Sequence, residues 1–159
     1  MARNNPDDER ECYNMDTRAV KFFFLSLDLP NHPLFKEQQE LSTLPQVALT
    51  QLLKKYDGST LKEETVKDAS GNETTQKVKY VIKQLPRYLF LHVKRFSKNN
   101  FFKEKNLTIV NFPIKGLDLT ELVSPTPKTS QVYDLIGTTI HMGKAESGAY
   151  KVMAVHEPS

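Results

Sequence analysis

Apolar residues crowd most densely between Leu85 and Pro113. Leu89, Phe90, Leu91, Val93 and Phe96 predict a strand over Tyr88 to Phe96. The apolar positions are too close together for a strand buried on one side, so both faces are expected to be covered. A basic, aromatic turn follows, and then a second strand from Leu107 to Phe112. Pro86 precedes the first strand and Pro113 follows the second, where a missing amide donor costs least. The remaining chain is expected to pack around this pair.

Other rhythms predict the flanking elements. Val20 to Leu29 alternates closely enough for a strand, ended by Pro30 and Pro33. Leu49, Leu52, Leu53 and Tyr56 recur at helical spacing and predict an amphipathic helix over Gln46 to Tyr56, its stripe facing the core. Lys54 and Lys55 fall in its last turn and Gly58 follows as a stop. Leu61 to Gln76 is charged and threonine-rich and contains Ser70-Gly71-Asn72, the signature of an excursion or a hairpin tip. Lys77 to Lys83 alternates as a strand, and Leu117 to Val123 suits a short helix before Pro125 and Pro127. Val132 to His141 and Tyr150 to His156 predict an antiparallel hairpin. The expected class is α+β, mainly antiparallel sheet with one or two helices. Residues 1–16 read as a flexible N-terminal lead-in and residues 17–159 as one domain.

Composition narrows the function classes. The chain has 159 residues, 38% hydrophobic and 26% charged, with a net charge of +3, too small to argue for nucleic acid. One cysteine rules out an internal disulfide and a cysteine-rich zinc site, and suits a reducing compartment. No apolar run is long enough to span a bilayer as a helix, and the first residues, MARNNPDDERE, lack the apolar stretch of a secretory signal. A soluble intracellular protein with no membrane association is expected.

Candidate chemistry is sparse. Cys12 lies among Glu9, Glu11 and Asp16, whose charges raise a thiol pKa and so disfavour a nucleophile. His32, His92, His141 and His156 show no metal-ligand spacing, so neither metal nor cofactor is expected, and His92 and His141, inside predicted strands, read as hydrogen-bonded structural histidines. His92, Lys94, Arg95, Lys98, Lys103 and Lys105 interleave with Phe96, Phe101 and Phe102. Such a mixture can hold single-stranded nucleic acid, but a solvated lysine face with phenylalanines anchoring the turn to the core is the favoured reading. No RNA-binding signature accompanies it, and direct RNA contact stays open.

Taken in order, these residues resemble the ubiquitin-specific protease family. Leu85-Pro86 and Leu89 to Phe96, ending in Lys94-Arg95-Phe96, resemble its LP-x-x-L-x-L-x-x-KRF block. Lys105-Asn106, Val110, Phe112-Pro113 and Leu117-Asp118-Leu119 continue the likeness, followed by Tyr133-Asp134-Leu135, His141, Gly143, Gly148 and Tyr150. Phe23 to Leu29 and the Leu49 to Gly58 helix resemble the elements before the family's zinc-bearing fingers. The resemblance covers roughly residues 20 to 156 and implies the C-terminal part of a papain-like fold.

It also implies a loss of catalysis. The family's general-base histidine stands between glycine and tyrosine, where this chain has Ala149, a degenerate catalytic-histidine position. His141 resembles an earlier histidine that is not the base. The family's nucleophile box is missing, and the charged Leu61 to Gln76 stretch stands where its zinc knuckles would be. Lys94 to Phe96, Lys98 to Phe102, Glu104 to Asn106 and Thr108 to Ile114, supported by Leu27 to Pro30 and Pro45 to Val47, resemble the catalytically inactive, tri-snRNP-associated spliceosomal branch. The implied protein is a nuclear, non-enzymatic scaffold in pre-mRNA splicing, with tri-snRNP proteins as partners, present as a fragment or a shortened paralogue. A ubiquitin-binding pseudoprotease and a ubiquitin thiolesterase are the alternatives. Absence of the first half of the fold implies exposed apolar surface around Phe90 and Phe112 and a tendency to aggregate.

Overall fold

The computed structural model describes residues 16–30, 44–67, 70–98 and 103–155. Its first half contains β1 (Phe24–Asp28), β2 (Gln46–Ala48), α1 (Leu49–Leu53), β3 (Asp57–Lys67), β4 (Glu73–Val81) and β5 (Phe90–Lys94). The second half contains β6 (Phe96–Lys98), β7 (Lys103–Lys105), β8 (Ile109–Asn111), β9 (Leu117–Asp118), β10 (Val132–Tyr133), β11 (Gly137–Gly143) and β12 (Gly148–Ala154). Short 3₁₀ turns cover Lys54–Tyr56 and Thr120–Leu122. The α+β class holds, and antiparallel pairs predominate.

Alternation in the first strand turns Leu25 and Leu27 inward, and β1 runs parallel to β5 with Leu25 beside Leu91 and Leu27 beside Val93. These residues meet Leu49, Leu52, Leu53 and Tyr56, whose helical spacing puts all four on one buried face. Val47, Ile82, Leu85, Leu119 and Val123 complete the core. The predicted helix is shorter than its apolar stripe. Gln46–Ala48 is strand because its backbone pairs in parallel with Ile109–Asn111, and Lys54–Tyr56 tightens into a 3₁₀ turn. The Asp57 carboxylate accepts from the Ser59 and Thr60 amides, both at 2.7 Å, and Gly58 takes φ +75° beside it. Glycine is favoured there because a Cβ is strained at positive φ.

One expectation about the central pair needs correction. The apolar strand is not covered on both faces: Leu91 and Val93 turn to the core, whereas Phe90 is 68% exposed and Phe24 beside it 53%. Its apolar density reflects one face in the core and one face whose phenylalanines are exposed. Each of the two strands finds its partner elsewhere in the chain. β5 pairs with β1 and β8 with β2, while β6 and β7 form the antiparallel link between them.

Of the two readings of Leu61 to Gln76, the hairpin is the one its described residues show. The stretch belongs to a long antiparallel hairpin of β3 and β4, in register from Leu61 opposite Lys79 to Lys67 opposite Glu73. Leu117 to Val123 is not a helix: β9 pairs with β10 and only a single 3₁₀ turn follows. The last hairpin is present as β11–β12, from Gly137 opposite Ala154 to Gly143 opposite Gly148. Every residue of β12 is exposed. Phe112, 41% exposed, and Val152, 70% exposed, add to the uncovered apolar surface.

Candidate functional site

The Lys94-Arg95-Phe96 run sits where β5 passes into β6, and each side chain has a separate structural job. Lys94 Nζ lies 3.1 Å from Asp28 Oδ1. Arg95 Nη1 donates to the Asn106 carbonyl at 3.2 Å and the Thr108 carbonyl at 2.6 Å, holding the segment that leads into β8. Burial pushes this guanidinium below its usual pKa, though an arginine in this setting stays charged. Asn106 returns the contact by donating its amide to the Arg95 carbonyl at 2.7 Å. The Phe96 ring meets the His141 ring edge-on with centroids 5.0 Å apart.

His141 therefore joins two parts of the molecule. Its ring also meets that of Tyr150, its cross-strand partner, at 5.0 Å. Lys105 Nζ donates to the carbonyls of His141 and Gly143, both at 3.0 Å, tying β7 to the last hairpin. His141 Nδ1 is buried without a hydrogen-bond partner. An added Cβ at Gly148 would clash with the Met142 backbone carbonyl and stand 2.5 Å from His141 Nε2, which explains glycine there. An open recess of about 250 Å³ lies beside this stack, lined by Phe96, Ser97, Lys98, Lys103, His141, Ala145 and Tyr150.

Ala149 follows Gly148 on β12, opposite Met142, and is exposed. Its methyl group neither accepts nor donates a proton. His141 contacts two rings, but its buried Nδ1 lacks a partner, so the expected hydrogen-bonded structural histidine is not what the structure shows. His92 is exposed and meets the Phe24 ring edge-on at 5.8 Å. The basic cluster does not form a groove of free cations: Lys94, Arg95 and Lys105 are engaged internally, whereas Lys98 and Lys103 reach the recess. Cys12, His32, Phe101, Phe102 and His156 lie outside the described residues, as does nearly all of the proposed lead-in. Among the described residues no group of three His, Cys, Asp or Glu side chains could hold a metal ion, and no helix is long and apolar enough to cross a membrane.

Sequence reasoning missed Asp28. Its carboxylate gathers Lys55 at 2.9 Å, Lys62 at 2.6 Å and Lys94 at 3.1 Å, from the 3₁₀ turn, β3 and β5. Burial pushes this carboxyl up, but the hydrogen bonds from Lys62, Lys55 and Lys94 outweigh it and hold the group well below the usual carboxylate range. Tyr56 and Tyr80 pack beside it. Tyr80 donates to Glu64 at 2.8 Å, and burial with that bond pushes its hydroxyl up to about 12. The available signal was an isolated acid in the apolar run VKFFFLSLDL.

The family pattern described as ubiquitin carboxyl-terminal hydrolase matches residues 7–159. The chain belongs to that family. It is 43% identical over 139 residues to ubiquitin carboxyl-terminal hydrolase 39 of Homo sapiens, covering 85% of this chain and 24% of that protein. It is 35% identical over 132 residues to the probable mRNA-splicing protein ubp10 of Schizosaccharomyces pombe, covering 80% of this chain and 24% of that protein. The chain thus spans about a quarter of the length of these relatives. The fold resembles the SAGA Ubp8/Sgf11/Sus1/Sgf73 DUB module bound to ubiquitin aldehyde, with TM-score 0.55 and 26% identity, covering 84% of this chain and 28% of that one. A yeast SAGA DUBm structure gives TM-score 0.56 at 26% identity, covering 84% of this chain and 27% of that one. The hydrolase fold and the likeness to a spliceosomal member both agree with the residue-level resemblance.

Proposed function

We infer that this hydrolase-family chain is non-enzymatic and acts in the nucleus as a scaffold for tri-snRNP assembly during pre-mRNA splicing. The observation that carries this reading is Ala149, between Gly148 and Tyr150 on β12, where the family resemblance places the general base. Proton transfer at that point needs a titratable group within hydrogen-bond reach, and a methyl group supplies none. Similarity to a splicing protein of fission yeast supports the spliceosomal part.

The test is a pull-down of the tagged chain from nuclear extract, probed for the tri-snRNP small nuclear RNAs and paired with a ubiquitin–fluorophore turnover assay. Recovery of the RNAs that survives a salt wash, without turnover, is expected. Loss of the RNAs with the chain folded and soluble removes the scaffold reading. Turnover abolished by Cys12→Ala replaces it with a ubiquitin thiolesterase.

The recess beside His141 favours a second reading, a ubiquitin-binding pseudoprotease. Phe96 and Tyr150 offer apolar contact there, and Lys98 and Lys103 offer charge. A ubiquitin titration followed by NMR is expected to move resonances at those four residues under this reading; unchanged spectra dismiss it.

A further inference from the structure

The loop between the second 3₁₀ turn and β10 reads Ser124-Pro125-Thr126-Pro127-Lys128-Thr129-Ser130. It contains both of the places in this sequence where a serine or threonine directly precedes proline. The base of the loop is pinned. The Leu119 amide donates to the Gln131 carbonyl at 2.9 Å, and the Gln131 amide donates to Thr120 Oγ1 at 2.8 Å. Asp118 Oδ1 accepts from the Thr120 amide at 2.9 Å and from its hydroxyl at 2.5 Å. Pairing of Asp118 with Val132 closes the two ends, giving a compact surface loop of the Ω kind.

The two hydroxyls differ in their surroundings. Ser124 follows Val123, which is 5% exposed and bridges to Ile82, and the Ser124 amide donates to the Ile82 carbonyl at 2.8 Å. Its upstream neighbours are therefore built into the core and cannot be lifted into another protein's cleft. Thr126 is exposed, and no hydrogen bond ties its hydroxyl or backbone to another described residue. Pro125 and Pro127 bracket it. They remove two amide donors that could fold the loop back, and Pro127 biases Thr126 toward extended backbone. Lys128 adds a cation two residues downstream. An exposed hydroxyl directly before proline, on a loop pinned at its base, is what a modifying enzyme can engage without unfolding its substrate.

We propose that Thr126 is the phosphoacceptor for a proline-directed protein kinase using magnesium ATP. Thr126 Oγ1 attacks the γ-phosphorus, and the new Oγ1–P bond forms as the bond to the β,γ-bridging oxygen breaks. ADP leaves, and the hydroxyl proton passes to the catalytic aspartate of the kinase. The product places about −2 of charge at the loop tip beside Lys128. The pinned base is untouched, so the surface changes sign locally while the fold stays intact. This proposal is independent of the splicing reading.

The experiment incubates the folded chain with a purified mitogen-activated or cyclin-dependent kinase and ATP, then maps phosphate by mass spectrometry of peptides. Phosphate is expected at Thr126, lost in Thr126→Ala and Pro127→Ala, kept in Ser124→Ala, and restored in Thr126→Ser. The thermal midpoint of the phosphorylated chain should match that of the unmodified chain. No incorporation into the folded chain overturns the proposal. So does incorporation that is equal at Ser124, or that requires prior denaturation.

Discussion

The two ends of this fold are built on opposite principles. Around β1 and α1, Leu27 is fully buried and Leu53 is 1% exposed, and one carboxylate, Asp28, ties three lysines from separate elements over the top. In the β11–β12 hairpin the backbone ladder is longer, yet every residue of β12 is exposed, with Tyr150 and Val152 both at 70%. Hydrogen-bonded strands are therefore no guide to where stability resides. Net stabilisation comes from apolar area removed from water, and a solvated ladder adds little beyond its own register. The hairpin joins the body through a few side-chain contacts, chiefly the Phe96–His141–Tyr150 stack and the Lys105 amine.

The largest expected effect lies in the buried half. Leu53→Ala should cost about 2–5 kcal/mol, because it removes a filled core position with little room to collapse. Urea denaturation followed by circular dichroism reads this directly. A loss near zero would mean that the β1–α1 core is not what holds the domain.

Next in size is the charged cap over the same core. Asp28→Asn should cost about 1–2 kcal/mol, modest because water reaches the cluster. The pH dependence follows from the direction of its shift. The folded carboxyl is held below the ordinary value of 3.8, so its stabilisation is complete above that value and is lost as pH falls through the folded pKa. The unsubstituted chain should lose stability steeply in acid, and Asp28→Asn should show a shallower acid limb with little difference in the slope between neutral and alkaline pH. Acid denaturation curves of the two proteins check this, and superimposable acid limbs would contradict it.

Smallest for stability is a change in the open hairpin. Val152→Lys should alter unfolding by no more than about 0.5 kcal/mol, since the side chain is already in water. It should nevertheless lower self-association, because it interrupts an exposed apolar strand surface. Light scattering at matched concentration tests the second half. An unchanged aggregate signal would move the sticky surface elsewhere, to Phe24 and Phe90.

Legibility followed the range of the interactions. The Val20 to Leu29 alternation and the Leu49, Leu52, Leu53, Tyr56 stripe were readable because periodicity in one short segment decides which residues share a face. The likeness to the hydrolase family was readable because its blocks keep their order along the chain. The β5 strand was misread as covered on both faces because apolar density cannot distinguish a second packed layer from an open one. Gln46–Ala48 was misread as helix because its strand geometry depends on Ile109–Asn111, a partner far along the chain. At the candidate site, Ala149 was visible as a residue in a motif, but the recess beside His141 was not. That recess needs Phe96, Lys103 and Tyr150 brought together from three strands.

The amino-acid sequence by itself determined the class of fold, the positions of the core stripe and the absence of a titratable side chain at position 149. Those properties are local or belong to one residue. Tertiary structure alone decided that Asp28 gathers three lysines, that Arg95 fastens the Asn106–Thr108 segment and that His141 meets both Phe96 and Tyr150. A charge or a ring finds its partner only after the backbone has chosen its strand pairs, and those choices are made by burial summed over the whole chain.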